Sequence, residues 1–259
     1  MVVGRRRFGT ALGCLVVSTA CLPISGWADQ PATGGDTDNK ALPARVTIAV
    51  VGDSLADGIW GGLYRKLHRD KRFTVYRGAK NSVGFGGGDL LDALDRAFEA
   101  GPVDALVMMI GANDRRGIYA NDGKLAAAYQ SPQWPAVYRA RVDGFMDSAT
   151  ARSVPLVWVL LPVMRDAGAD SDARQINAIV GEAAECHAQV ATVATRPLTI
   201  DAEGKYAAYL KDAKGQQRLL RDSDGVHFTD YGYDLIAEHV LAKLKDGLIK
   251  VGGMASAAK

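Results

Sequence analysis

Three short polar clusters carry the residue types of nucleophilic catalysis: Gly52-Asp53-Ser54, Gly111-Ala112-Asn113-Asp114 and Asp224-Gly225-Val226-His227. A serine hydroxyl ionises too weakly to attack an ester unaided, so a base must take its proton as the bond forms. Histidine, oriented by a carboxylate, is the usual partner. The first cluster follows the apolar run 46–51 and the second the apolar run 103–110, while the third stands just before the last amphipathic stretch. Open α/β sheets gather function at the carboxyl ends of their strands, so distance along the chain is no objection to contact.

Regular elements must position these clusters, and the hydrophobic pattern supplies them. The run 46–51 is short, β-branched and almost wholly apolar, as a parallel strand covered on both faces requires. Ile59, Leu63 and Leu67 then recur at helical spacing. Residues 73–76 read as a second strand, followed by a Gly-rich turn over 81–88 and a helix carrying Leu90, Leu91, Leu94 and Phe98. Residues 103–110 form the third strand. Beyond a loop containing Trp134 and Pro135, Tyr138, Val142 and Phe145 mark a helix, and 155–161 is a buried strand ended by Pro162. Ile176, Ile179, Val180 and Ala183 give another helix, which also carries Cys186 as a small buried hydrophobe, and 190–193 the last strand. The stretch 206–220 interrupts this rhythm with a hairpin about the turn 211–215. Leu235, Ile236, Val240, Leu241 and Leu244 make a closing helix capped by Thr229 or Asp230. Alternating strands and helices imply a parallel, doubly wound sheet.

Composition fits one ordinary globular domain: 259 residues, 48% hydrophobic and 23% charged. Arg5-Arg6-Arg7 ahead of a mostly apolar stretch, with small residues around Gly26-Trp27-Ala28, reads as an export signal over residues 1–28. Both twin-arginine and general secretory export suit it, although Gly4 stands where a twin-arginine signal has Ser or Thr. The apolar stretch is short for a membrane span and is broken by Gly13 and Pro23. A lipoprotein reading through Cys21 lacks the expected leucine in Ser18-Thr19-Ala20. Residues 29–45 read as a flexible linker, 46–248 as the folded domain and 249–259 as a disordered tail. Cleavage after Ala28 moves the formal charge from +2 to −1, with 28 basic against 29 acidic residues. That balance excludes a generally basic nucleic-acid-binding surface. It also leaves Cys186 as the single cysteine, so no intrachain disulfide is expected.

The blocks Gly52-Asp53-Ser54, Asn81-Ser82-Val83-Gly84, Gly111-Ala112-Asn113 and Asp224-Gly225-Val226-His227, in this order over about 46–244, resemble the SGNH hydrolase superfamily of GDSL esterases and lipases. Each block alone is turn vocabulary; four in order at strand exits and loops are specific. The resemblance implies a flavodoxin-like three-layer α/β/α sandwich around a parallel sheet. It implies Ser54 as nucleophile, His227 as general base, Asp224 as the carboxylate that orients the imidazole, and Ser54 N–H, Gly84 N–H and the Asn113 amide as oxyanion donors. Bland roles stand beside these: helix N-cap for Ser54, turn former for Asp224, loop cap for Asn113. Gly84, Gly86, Gly87 and Gly88 offer several registers for the glycine donor, and Asp53 reads as a structural hydrogen-bonding residue. His68, His187 and His239 lie in helical patterns without a carboxylate partner of this kind.

The function expected on this reading is an exported serine esterase, periplasmic or secreted, that removes short acyl groups from a carbohydrate or cell-envelope polymer, with no cofactor and no metal. Two alternatives use the same residues or the same fold: an O-acyltransferase with the same acyl-serine intermediate, and a noncatalytic carbohydrate-binding or assembly protein. A phosphate-binding loop at 84–88 lacks a following Gly-Lys-Ser/Thr, and a zinc hydrolase lacks a His-x-x-x-His set. No nucleic-acid partner and no membrane anchor after cleavage are expected. Asp57 and Trp60 follow the nucleophile, and Arg115, Arg116, Trp134 and Arg165 lie on or near loops at the carboxyl edge; aromatic and arginine side chains there suit a sugar or anionic polymer, or else simple loop packing and solvation.

Overall fold

The computed structural model describes residues 45–87 and 89–257; the expected signal peptide and nearly all of the linker lie outside the described residues. In chain order the elements are β1 (Val46–Gly52), α1 (Ser54–Leu67), β2 (Phe73–Arg77), α2 (Asp89–Glu99), β3 (Ala105–Met109), β4 (Ile118–Tyr119), β5 (Leu125–Ala127), α3 (Trp134–Ala151), β6 (Leu156–Val159), α4 (Ala167–Glu185), β7 (Val190–Val193), β8 (Tyr209–Lys211), β9 (Gln217–Leu219) and α5 (Asp230–Ala257). The main sheet is parallel throughout, in the order β2-β1-β3-β6-β7. This is the flavodoxin-like order, in which the chain steps outward from β1 to one side and then to the other. α1 and α5 cover one face, and α2, α3 and α4 the other. Both faces are therefore dry, which is why β1, β3 and β6 are almost unbroken apolar runs.

The switch between β1 and β3 positions the first two polar clusters. Gly52 pairs with Met109, and Asp53 N–H donates to Met109 O at 3.2 Å, so 53–54 and 110–114 leave the sheet side by side. The third cluster arrives from outside the sheet, through the hairpin β8-β9 and into the start of α5. What brings it to Ser54 is the contact between α1 and α5. Gly58 and Gly62 lie on one α1 face; the Tyr233 ring rests on Gly58, where a Cβ would sit 1.9 Å from its Cζ, and Gly62 meets the Tyr233 carbonyl. The ion pairs Arg65–Asp230, Arg65–Asp234 and Lys66–Glu238 run along the same contact, but as solvated pairs each contributes little.

Several boundaries differ from the sequence reading. Trp134 and Pro135 open α3 instead of lying in a loop, because proline is tolerated in the first helical turn where its missing N–H is not needed. β4 and β5 form a small hairpin that the sequence pattern does not announce. α5 passes the boundary expected at residue 248 and continues to Ala257; lengthening a helix already formed costs far less than starting one, and two glycines do not stop it. Cys186 caps the C-terminus of α4 and is exposed, not buried.

In an open helix Gly→Ala stabilises by about 1 kcal/mol. Gly58→Ala is expected to do the opposite, lowering stability by roughly 1–3 kcal/mol through overpacking against Tyr233. Urea unfolding with an unchanged slope measures this; a stabilised variant would show that the two helices separate freely.

Candidate active site

Ser54 is the first residue of α1, and the helix is capped by its neighbour: Asp53 Oδ1 accepts from Leu55 N–H at 2.9 Å. The N-cap role open to Ser54 thus falls to Asp53. The Ser54 hydroxyl is left for another partner, and its N–H is one of the first-turn donors that no helical carbonyl satisfies. That partner is His227, whose Nε2 lies 2.7 Å from Ser54 Oγ across 173 residues of chain. The imidazole Nδ1 lies 2.5 Å from Asp224 Oδ2. With the proton on Nδ1 donated to Asp224, Nε2 is the acceptor for the Ser54 hydroxyl, the tautomer a general base needs.

Asp224 combines the two roles open to it from sequence. Its Oδ2 holds the ring, while its Oδ1 accepts from Val226 N–H at 2.8 Å and His227 N–H at 2.9 Å, closing the turn that carries the histidine. Burial works to raise its pKa, yet the hydrogen bonds from the His227 ring and the two backbone N–H groups outweigh this and hold it at about 2. It is a carboxylate throughout the range in which histidine titrates.

The loops that would receive an oxyanion are tied to one another. Asn113 Nδ2 donates to Val83 O at 3.1 Å, using one of its two N–H bonds. Arg116 joins the same loops from outside, with Nε on Asn113 O at 2.7 Å and Nη2 on Ser82 O at 3.3 Å. Ser82 is held at φ 63, a left-handed conformation that a non-glycine residue takes only under constraint. Gly84 lies flat on the Asp114 carboxylate, and a Cβ there would sit 2.0 Å from Oδ1. Gly86 N–H donates to that Oδ1 at 3.3 Å, so of the alternative donors Gly86 is already engaged, and Gly88 lies outside the described residues.

Two buried carboxyls underlie this surface. Asp114 also accepts from Tyr138 Oη at 3.0 Å; its burial raises its pKa despite those bonds and the charge of Arg116. Asp53 is fully buried, and desolvation pushes it from 3.8 up to about 7, against the N–H groups of Leu55, Ala56 and Gly111 and with help from the Asp114 charge.

The remaining sequence candidates fall outside this constellation or serve it as packing. Asp57 is held bidentately by Arg77, whose guanidinium lies over the Trp60 ring. Trp60 Nε1 donates to Val75 O, and buried Trp134 donates to Arg116 O. Arg115 is paired with Asp172 and Asp166. Arg165 packs on Gly225 and is exposed. His187, read as lacking a carboxylate, does contact Asp147 Oδ1 at 3.0 Å on the surface, with its other nitrogen on Ala183 O; that pair joins α3 to the end of α4 and involves no serine. Sequence reasoning passed over Asp114, although it stands in a quoted cluster, and Arg221, whose hydrogen-bond acceptors are all backbone carbonyls and which no motif marks.

A family model described as a protein of unknown function, DUF459, matches residues 47–243. No curated protein matches the chain. Solved structures do: the lipase/acylhydrolase from Enterococcus faecalis is 16% identical with a TM-score of 0.55, covering 78% of this chain and 96% of its own. A GDSL-like lipase from Bacteroides thetaiotaomicron VPI-5482 is 12% identical with a TM-score of 0.54, covering 77% and 88%. TesA is 16% identical with a TM-score of 0.53, covering 78% and 99%. At these identities the likeness is one of fold, and the fold is that of the SGNH hydrolases.

Asp53 gives the site a measurable electrostatic signature. Its folded pKa of about 7 lies above the ordinary 3.8, so the native state keeps a proton that the unfolded chain releases. Its contribution to stability is full below the lower value and is lost as pH rises through the upper one, a change on the order of 4 kcal/mol. Asp53→Asn keeps the cap and removes the titration. Urea midpoints measured on either side of this window should fall with pH in the wild type and fall less in the variant; an equal fall in both would refute the raised pKa of Asp53.

Proposed function

Because the chain belongs to the DUF459 family and has the SGNH hydrolase fold, we propose that it is a serine esterase that removes short, acetyl-like acyl groups from an exported carbohydrate or cell-envelope polymer. The observation that carries this reading is the unbroken hydrogen-bonded chain Asp224–His227–Ser54 at the sheet's switch point. Ser54 Oγ attacks the carbonyl carbon while its proton passes to His227 Nε2, and Asp224 stabilises the imidazolium that results. The charge on the carbonyl oxygen is met by Ser54 N–H, Gly84 N–H and Asn113 Nδ2, each donor contributing roughly 3 kcal/mol in comparable sites. The intermediate collapses, His227 returns its proton to the leaving alcohol, and water attacks the acyl-serine by the same route in reverse.

Short acyl chains are favoured by the size of the neighbouring recess. It has a volume of about 30 Å³ and is lined by Ala112, Leu161, Met164, Ala173 and Val226, among others. Two of its lining residues, Ala112 and Val226, adjoin Asn113 and His227 in the chain, which supports a recess next to the site. That volume suits a group of about the size of one water or methyl. A polar, anionic alcohol portion is supported by Arg116 and Arg165, both exposed and, among the described residues, without a carboxylate at ion-pair distance. The side chains of His227 and Asp224 are 34% and 46% exposed, so water can reach an acyl-serine, as hydrolysis requires.

Mature protein should hydrolyse an activated acetyl ester, and Ser54→Ala should abolish turnover while leaving the melting temperature nearly unchanged. Full activity in that variant would sink the assignment of the nucleophile. Activity should fall steeply from acetyl to longer acyl esters, and Met164→Ala should shift the preference toward butyryl. A chain-length profile that the substitution leaves untouched would detach the recess from the acyl group.

A further inference from the structure

Arg221 is 1% exposed and, among the described residues, is one of the largest fully buried side chains. Among the described residues no carboxylate lies within ion-pair distance of it, and its burial lowers its pKa to about 10, so it remains a cation at neutral pH. Isolating such a charge from water is expensive unless its donors are all used. Here they converge on backbone oxygens: Nη1 donates to Val163 O at 2.8 Å, Nη2 to Val226 O at 2.7 Å and Gly225 O at 3.3 Å, and Nε to His227 O at 3.3 Å. The rings of Phe228 and Tyr206 flank the guanidinium at 4.1 and 5.0 Å.

Three of these four acceptors belong to the turn that carries the histidine, and two of those peptide groups are also held at their N–H ends. The peptide group between Gly225 and Val226 points its C=O at Arg221 and its N–H at Asp224 Oδ1. The next peptide group, between Val226 and His227, does the same. Two peptide dipoles therefore lie between a buried cation and the Asp224 carboxylate, each with its oxygen toward the positive charge and its N–H toward the negative one. Both peptide planes are fixed from two sides, and with them the direction in which the His227 side chain leaves the backbone. The far end of the clamp is Val163 in the segment after β6, so the turn is anchored to the sheet domain and not only to itself.

Building on the esterase reading, we propose that Arg221 is a positioning residue for the reaction: through the two clamped peptide groups it fixes Asp224 and sets the His227 ring on Ser54. Only a planar fork with several N–H donors at fixed angles can reach consecutive carbonyls in this way; a lysine would keep the charge and lose the fork.

The test compares wild type, Arg221→Lys and Phe228→Leu on an activated acetyl ester, together with the proton NMR signal of the His227 Nδ1–H. Phe228→Leu is the milder change, keeping Arg221 while removing the ring that lies against it, and serves if the lysine variant fails to fold. A displaced base costs turnover more than binding, so kcat should fall by about tenfold or more in Arg221→Lys. A smaller loss is expected in Phe228→Leu, with KM nearly constant in both. The Nδ1–H signal should broaden or shift in step with kcat. Wild-type kcat in a folded variant, or a loss confined to KM, would overturn the proposal. If the wild type hydrolyses no acyl ester the esterase reading fails instead, and the NMR signal still decides the clamp: an unchanged resonance in the variants refutes it.

Discussion

Everything at the site depends on how closely α1 and α5 approach. The nucleophile candidate starts the first helix and the base candidate precedes the last, and their hydrogen bond spans 173 residues. An ordinary helix pair, with side chains between, keeps its axes 8–10 Å apart. Here Gly58 and Gly62 remove the side chains on one side, and Tyr233 and Ala237 fill the space. A separation greater by one methyl group is of the same order as the tolerance of a proton transfer, which is why two glycines distant from the chemistry constrain it.

Around that contact the ionisable groups are arranged by burial. Asp53 and Asp114 lie inside, where desolvation favours their neutral forms, and Arg221 lies inside with its charge spread over peptide carbonyls. Asp224 is half exposed, is held ionised by hydrogen bonds, and faces the imidazole that would become a cation. Full negative charge is thus kept beside the imidazole, and discouraged beneath Gly84 and Asn113, the proposed oxyanion donors, where a second anion would have to form. The loops that carry Val83 and Asn113 are joined by a neutral amide contact and by Arg116 from the solvent side.

The sheet was legible because a parallel strand buried on both faces leaves little freedom in residue choice: 46–51, 103–110 and 155–161 are mostly apolar runs, and each overlaps an observed strand. The polar clusters were legible for a related reason, since strand exits at a switch point need turn residues and the chemistry uses the same positions. What escaped notice lacks a local pattern. Pro135 looks like a helix breaker unless the helix start is already known. Cys186 follows the helical period by one residue too many and ends at the cap. Arg221 bonds only to carbonyl oxygens, which every residue possesses, so no partner type marks it in sequence.

This asymmetry also explains why reaction type is easier to read than substrate. The proposed reaction is carried by side chains whose identity matters: exchanging Ser54, His227 or Asp224 for alanine removes a proton donor, a proton acceptor or a charge. Selection of a substrate would rest on the volume left between Leu161, Met164 and Ala173, and on where the ends of Arg116 and Arg165 reach. Volume and reach are sums over many tolerant positions, each replaceable by a neighbour of similar size or charge. A motif therefore records the reaction in four short blocks, whereas the substrate is recorded in distances that exist only after the chain has folded.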